Sequence, residues 1–278
     1  MSYETIIYDV DQYIATISLN RPTRMNAITQ EMDRELFDAM QSAESSNDVR
    51  VIILTGSGRG FCAGADMSNL SAASGADWST VDMDELEREL LPSHSRADAR
   101  GDFQKTYSYF PAIEKPIIAA INGASVGLGF VLPLYCDIRF ASEKARFGTA
   151  FAQRGLIAEH GVSWMLPRIV GLSNALDLLY SARLIDAEEA LKMGLVNRVV
   201  RHEDLLAEAK EYATLLATTV SPRSLRVIKK QVYNSLFSDL GEAIESANEE
   251  MMLSLQCDDF KEGVAHFVEK RPPNFTGN

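Results

Sequence analysis

Two short apolar runs, Val49 to Thr55 and Pro116 to Asn122, each break into a cluster of glycines, and this pairing constrains the fold more than any other feature of the chain. Unbroken apolar runs of this length suit strands buried on both faces, as in a parallel sheet, better than half-exposed strands that alternate. Glycines directly after such strands mark turns where the backbone passes close to something a Cβ would strike. The first cluster, Gly56-Ser57-Gly58-Arg59-Gly60, stands where a dinucleotide site would begin. The third glycine of that fingerprint belongs at position 61, which is Phe61, and no Lys-Ser/Thr pair follows for a phosphate loop. Gly127-Leu128-Gly129 fails the same test at Leu132. Nicotinamide and nucleoside triphosphate are therefore poor candidates.

Gly123-Ala124-Ser125-Val126-Gly127 spells the G-x-S-x-G nucleophile elbow after a strand, with His160, His202 and His266 downstream. No HGGG-type oxyanion loop precedes it, so a small residue in a tight strand-to-helix turn is the preferred reading of Ser125. Phe61-Cys62-Ala63-Gly64-Ala65-Asp66-Met67 is more informative. Its small residues admit close backbone approach, and a helix starting near Asp66 would leave free N–H groups at its N-terminus. The second glycine loop also feeds a helix, from about Leu128. Two such donors converging on one oxygen would form an oxyanion hole. Pro133 falls inside that second helix, where it removes a backbone hydrogen bond.

Around these loops strands and helices alternate. Glu4 to Val10 and Tyr13 to Leu19 read as strands about an Asp11-Gln12 turn. A helix capped by Thr29 carries Met32, Leu36, Phe37 and Met40 on one face. Ser68 to Gln104, rich in Ser, Ala, Asp and Glu, is expected to cross over a pocket or form a surface loop. Helices are predicted over Ser173 to Ser181, Asp186 to Met193, Glu203 to Thr218, Ser221 to Phe237, Leu240 to Leu253 and Asp258 to Glu269. The change from alternation to helices sets a boundary near Gly194 to Arg201, giving a core of residues 1–197 and a helical region of 198–278.

The 278 residues suffice for one large domain or one with an appendage. With 27 Lys+Arg against 39 Asp+Glu, a net charge of -12 speaks against nucleic acid or an anionic membrane as partner, because phosphates are bound by basic side chains. Cys62, Cys136 and Cys257 are an odd number without paired spacing, so neither a disulfide framework nor a metal site is indicated, and a reducing cytoplasm fits. No apolar run approaches the roughly 20 residues that span a bilayer, and MSYETIIYDV has no basic and apolar regions of an export signal.

Several stretches together resemble the crotonase superfamily, the enoyl-CoA hydratase/isomerase family. They are Leu19 to Pro22 with Met25-Asn26-Ala27, Gly60 to Met67, Lys115-Pro116 through Asn122-Gly123 with Gly127 and Gly129, and Cys136 to Arg139. Phe147-Gly148, Gly155-Leu156-Ile157, Ala187 to Ala190 with Gly194-Leu195-Val196, and the tail Glu269 to Pro273 extend the likeness over nearly the whole chain. The resemblance implies an α/β fold, a spiral of ββα repeats with a C-terminal helical part that trimerises, commonly as a dimer of trimers. It implies that the N–H groups of Ala65 and Leu128 bind the thioester oxygen of an acyl-CoA, with coenzyme A as part of the substrate and no separate cofactor. Arg24, Met25, Ala27, Ala63, Asp66 and Met67 would line the CoA, and Phe267 and Lys270 would reach the CoA of a neighbouring subunit.

Hydratases of this family use two glutamates, which by the same carry-over fall at Val131 and Phe151; both positions are apolar here. Glu159, in Gly155-Leu156-Ile157-Ala158-Glu159-His160-Gly161, resembles instead the single glutamate of the Δ3,Δ2-enoyl-CoA isomerase branch, which shuttles a proton between C2 and C4. One base suffices there because no water is added, and an apolar wall of Val131 and Phe151 would raise its pKa. Glu159 also has a plainer reading, an acidic residue favouring the N-terminus of the helix that starts near Gly161. Arg154 is expected to pair with Glu159, His160 is read mainly as a loop histidine, and His94 is read as a solvent residue, with contact to the acyl group as its alternative. Asp137 and Trp164-Met165-Leu166 read as scaffold. The alternatives are a thioester or β-diketone hydrolase in which Glu159 or His160 activates water, and a CoA-binding protein without turnover.

Overall fold

The computed structural model describes residues 3–67, 75, 79, 82 and 99–278. Strands β1 (Ile6–Asp11) and β2 (Ile14–Leu19) form an antiparallel hairpin. Its turn residues are Gln12 and Tyr13, both at positive φ, one residue beyond the expected Asp11-Gln12. A two-residue hairpin turn of this hand takes φ > 0 at both central residues, and without an Asn-Gly pair the pattern alone leaves the register open by one. Helix α1 (Gln30–Ser45) starts as expected, the Thr29 hydroxyl accepting from the Met32 N–H at 3.2 Å.

Strands β3 (Val51–Gly56), β4 (Ile117–Ile121), β6 (Ile138–Ser142) and β9 (Arg198–Val200) extend the hairpin into a six-stranded sheet of order β1-β2-β3-β4-β6-β9, parallel from β2 onward. A second sheet holds β5 (Ala124–Val126), β7 (Arg146–Gly148) and β8 (Ile185–Asp186). Each passage of the chain gives one strand to the large sheet, one to the small sheet and then a helix: β4, β5 and α2 (Leu128–Leu134), then β6, β7 and α3 (Val162–Val170) with α4 (Leu172–Ser181). These are the expected ββα repeats of the spiral. The β3 passage follows the same course, Cys62 bridging in parallel to Ser125.

The unbroken apolar runs bury both faces of the large sheet. Ile52, Leu54, Ile117, Ala119 and Ile121 face the main core with α1. Ile14, Val51, Ile53, Ile118, Ala120 and Phe140 face Leu205, Ala209, Ala213 and Ala217 of α6 (Leu205–Thr219). Alanines four residues apart let that helix lie close to the sheet. Helix α5 (Ala187–Lys192) precedes β9, so the strand just past residue 197 belongs to the core sheet, and the run of helices begins at Leu205.

Helices α7 (Pro222–Ser235), α8 (Leu240–Ser254) and α9 (Asp258–Glu269) complete the chain. A buried cluster docks α7 onto the core. Lys229 lies 2.9 Å from Asp137, whose carboxylate also accepts from the Ile117 N–H at 2.7 Å and the Tyr233 hydroxyl at 3.1 Å. Asp137 is thus scaffold, as expected. Trp164 stacks on Phe237 while Met165 and Leu166 are buried. Among the described residues, no helix is long and apolar enough to cross a membrane.

Candidate active site

Three loops meet at the ends of β2, β3 and β4. In the first, Asn26 is fully buried at positive φ. Its amide donates to the carbonyls of Ser57, Gly60 and Phe61, and its oxygen accepts from the Arg21 N–H. The loop is laced to its neighbour by the Ala63 N–H on Met25, the Ile28 N–H on Gly64 and the Asp66 N–H on Ile28. Arg21 adds an ion pair to Asp66 at 2.9 Å.

The second and third loops are in backbone contact, which accounts for their glycines. The Phe61 and Cys62 N–H groups donate to the Ala124 carbonyl, and the Val126 N–H donates to Cys62. A Cβ on Gly129 would sit 2.0 Å from the Cys62 oxygen. Gly64 has φ +102°, and a Cβ there would meet the Val126 oxygen at 2.9 Å and the Leu128 nitrogen at 3.6 Å. Only glycine permits this approach. It brings the Ala65 and Leu128 residues together on one cavity, and neither N–H donates to an acceptor among the described residues. Leu128 is the first residue of α2, so its free N–H belongs to the helix N-terminus.

Ser125 does not face this cavity. It is fully buried in β5, and its hydroxyl donates to the Gly129 carbonyl at 2.7 Å. That carbonyl would ordinarily accept from residue 133, four positions on, but Pro133 has no N–H. Ser125 therefore supplies the hydrogen bond that Pro133 withholds, and it does not present a hydroxyl to the cavity as a nucleophile elbow would. Cys62 is no nucleophile either, since burial pushes its thiol up to about 12.

The cavity has a volume of about 500 Å³. Arg24, Met25, Ala27, Ala63, Asp66 and Met67 line it, together with Ala65, Leu128, Phe151 and Glu159. Arg154 and His160 are also on its wall. The Arg154 guanidinium donates to the Ala150 carbonyl at 3.0 Å, back across the single turn Ala152–Arg154, rather than pairing with Glu159. Glu159 is half-buried, and desolvation raises its pKa above the ordinary carboxylate value. Its backbone carbonyl accepts from the Val162 N–H at the start of α3.

Some expected positions lie elsewhere. Val131 is fully buried within α2 and is not on the cavity wall. Phe267 is 79% exposed near the end of α9, and neither it nor Lys270 lines the cavity of its own chain. His94 lies outside the described residues, as does most of the Ser68 to Gln104 stretch. Sequence reasoning missed Thr149, Ala150 and Leu156, which line the site between β7 and Glu159. Apolar and hydroxyl residues in a connecting loop carry no pattern that marks them as wall.

The family model described as enoyl-CoA hydratase/isomerase matches residues 9–80 and 73–278. The chain belongs to the enoyl-CoA hydratase/isomerase family. It is 34% identical to the crotonyl-CoA hydratase of Syntrophomonas wolfei and 31% identical to the 1,2-epoxyphenylacetyl-CoA isomerase of Escherichia coli, in each case over 99% of both chains. Among solved structures it is similar to an enoyl-CoA hydratase from Bacillus anthracis, with a TM-score of 0.86, 31% identity, and 99% of this chain and 100% of that one covered. The fold is the crotonase one, α/β with a helical C-terminal region, and the chain is an enzyme of this family.

Proposed function

We propose that the protein isomerises enoyl-CoA thioesters, moving a C=C bond between the 3,4 and 2,3 positions with Glu159 as the sole acid/base. The N–H groups of Ala65 and Leu128 hold the thioester oxygen. The Glu159 carboxylate takes a proton from C2 of a 3-enoyl thioester, and charge develops as a dienolate whose oxygen the two N–H groups stabilise. The same carboxyl group returns the proton at C4, leaving the conjugated trans-2-enoyl thioester. Atoms balance without water or a redox partner.

One observation carries this reading. Of the two carboxylates that the described residues place on the cavity wall, Asp66 is held by Arg21, whereas Glu159 is half-buried with a raised pKa. A raised value improves a base that must also act as acid in the next step. Phe151 on the wall and Val131 behind it offer no second carboxylate to activate water. The relative named 1,2-epoxyphenylacetyl-CoA isomerase is compatible with proton-shuttle chemistry in this fold. Hydration by Glu159 is the second reading, favoured by the relative named crotonyl-CoA hydratase and by His160 beside Glu159 on the wall. We also propose that the chain self-associates through its C-terminal helices as a trimer or dimer of trimers, placing Phe267 and Lys270 against the CoA of a neighbour.

The test is incubation of the protein and its Glu159→Gln variant with 3-enoyl-CoA and trans-2-enoyl-CoA of several chain lengths, following absorbance of the conjugated thioester and product mass. Interconversion without mass change is expected, with kcat in the variant lower by about 100-fold or more, the range of general acid–base catalysis. Because the carboxylate form is the base, kcat should fall as pH drops through a pKa above the ordinary glutamate value. A gain of one water moves the assignment to hydratase, release of free CoA to hydrolase, and an unaffected variant removes Glu159 from the mechanism.

A further inference from the structure

The residue that would do the chemistry sits on a poorly supported loop. Ala152 to Ile157 are exposed, as is His160, and Gly155 and Gly161 both take positive φ. Loops with little packing of their own do not hold a side chain to the fraction of an ångström that proton transfer needs. Something outside the loop must fix Glu159.

Two phenols meet the loop at the adjacent residue. The Tyr135 hydroxyl, at the end of α2, donates to the His160 carbonyl at 2.6 Å. The Tyr107 ring packs edge-on against the His160 ring, 5.0 Å between centroids at 73°. Tyr107 is itself anchored, its hydroxyl donating to Asp33 on α1 at 2.9 Å. Both tyrosines are buried, at 2% and 5% exposure. Tyr107 and His160 each have positive φ, at 64° and 50°. Non-glycine residues hold that conformation where the surroundings over-determine it. Gly161 gives independent support, because a Cβ there would lie 2.4 Å from the Tyr135 hydroxyl oxygen. The glycine leaves room for the phenol.

We propose that Tyr107 and Tyr135 are positioning residues for Glu159, clamping His160 from two elements and so holding the neighbouring carboxylate half-buried on the cavity wall. The inference rests on Glu159 being the acid/base. It also gives α2 a double task, since the helix presents the Leu128 N–H at one end and fixes the base through Tyr135 at the other. Among the described residues, the charged and titratable groups that share the cavity with Glu159 are His160 and Arg154 of its own loop, Asp66 of the β3 loop and Arg24 of the β2 loop. Asp33, Tyr107 and Tyr135 lie behind His160. Releasing the clamp lets water reach the carboxylate, so its pKa falls toward the ordinary value.

The test uses the full chain carrying Tyr135→Phe or Tyr107→Phe, with side-chain carboxyl 13C-labelled glutamate. The Glu159 resonance is assigned by its loss in Glu159→Gln and then titrated. Its pKa is expected to drop by about half a unit or more in each variant. For 3-enoyl-CoA, kcat is expected to fall about tenfold with KM changed less than about twofold, as misplacement of a catalytic group predicts. Gly161→Ala, which drives a Cβ into the Tyr135 hydroxyl, should produce the same shift and carries the test if a tyrosine variant does not fold. An unmoved titration in folded variants, with kcat within about twofold of the parent, overturns the clamp. If Glu159→Gln turns over normally, the acid/base reading fails instead, and the titration still decides whether the phenols set the carboxylate's environment.

Discussion

Ser125 shows how a residue that looks reactive in sequence is absorbed by the backbone. Its hydroxyl closes the hydrogen bond that Pro133 leaves open at Gly129. Ser125→Ala should therefore strand a buried carbonyl and cost about 1–3 kcal/mol, read as a lower denaturant midpoint, while turnover of an enoyl thioester survives. Complete loss of turnover in a folded Ser125→Ala protein would restore the nucleophile reading. The glycine positions were legible from sequence because each cluster follows directly on a strand, where a turn is expected; what they approach, Cys62 at Gly129 and Val126 at Gly64, is set by the fold. The link between Ser125 and Pro133 was not, because seven intervening residues must first fold into a turn that points the hydroxyl at the open carbonyl. Tyr107 and Tyr135 were illegible for the same reason. Each meets residue 160 from a separate stretch of chain.

Among the elements, the C-terminal helices were read from sequence almost to the residue, since amphipathic periodicity with Asp and Ser caps is a strong local signal. Asp239, for example, accepts from the Glu242 N–H while the Glu242 side chain accepts from the Asp239 N–H. The hairpin slipped by one residue and β9 fell on the far side of the expected boundary, because strand partners are set by tertiary pairing rather than by neighbours in sequence. What fastens α7 is equally non-local. Lys229 crosses to Asp137 with its side chain 6% exposed. Removing one partner of a buried pair leaves the other charged and poorly solvated, so Lys229→Met should lose about 3 kcal/mol of stability. Adding Asp137→Asn should return part of that loss, because the uncompensated carboxylate is then gone. A denaturant series on the single and double variants decides it. A single variant within about 0.5 kcal/mol of the parent would show that the pair does not hold the helix.

For the whole molecule, the proposed self-association rests on the apolar surface of the helical region. Helix α8 runs for 15 residues without one buried side chain, while Leu240, Ile244, Met251 and Met252 are all more than half exposed. A helix is stabilised in water chiefly by burying its apolar face, and the contact of α8 with α7, where Arg223 meets Ser254 and Glu250, leaves these side chains uncovered among the described residues. Phe267 and Val268 leave α9 equally uncovered. Apolar surface on this scale is what the proposed self-association would cover, and a closed ring of like subunits would cover the same patch on every copy. Sedimentation equilibrium should therefore give three or six chain masses. Placing a charge in the patch with Ile244→Glu should shift the equilibrium to smaller species, because a carboxylate buried without a partner opposes association. If Phe267 and Lys270 meet the CoA of a neighbour, the same variant should raise KM for acyl-CoA much more than it lowers kcat, since Ala65, Leu128 and Glu159 all lie within one chain. A parent protein that sediments as a single chain would remove the interface. An Ile244→Glu protein that dissociates with KM unchanged would keep the interface and remove the tail from the substrate site.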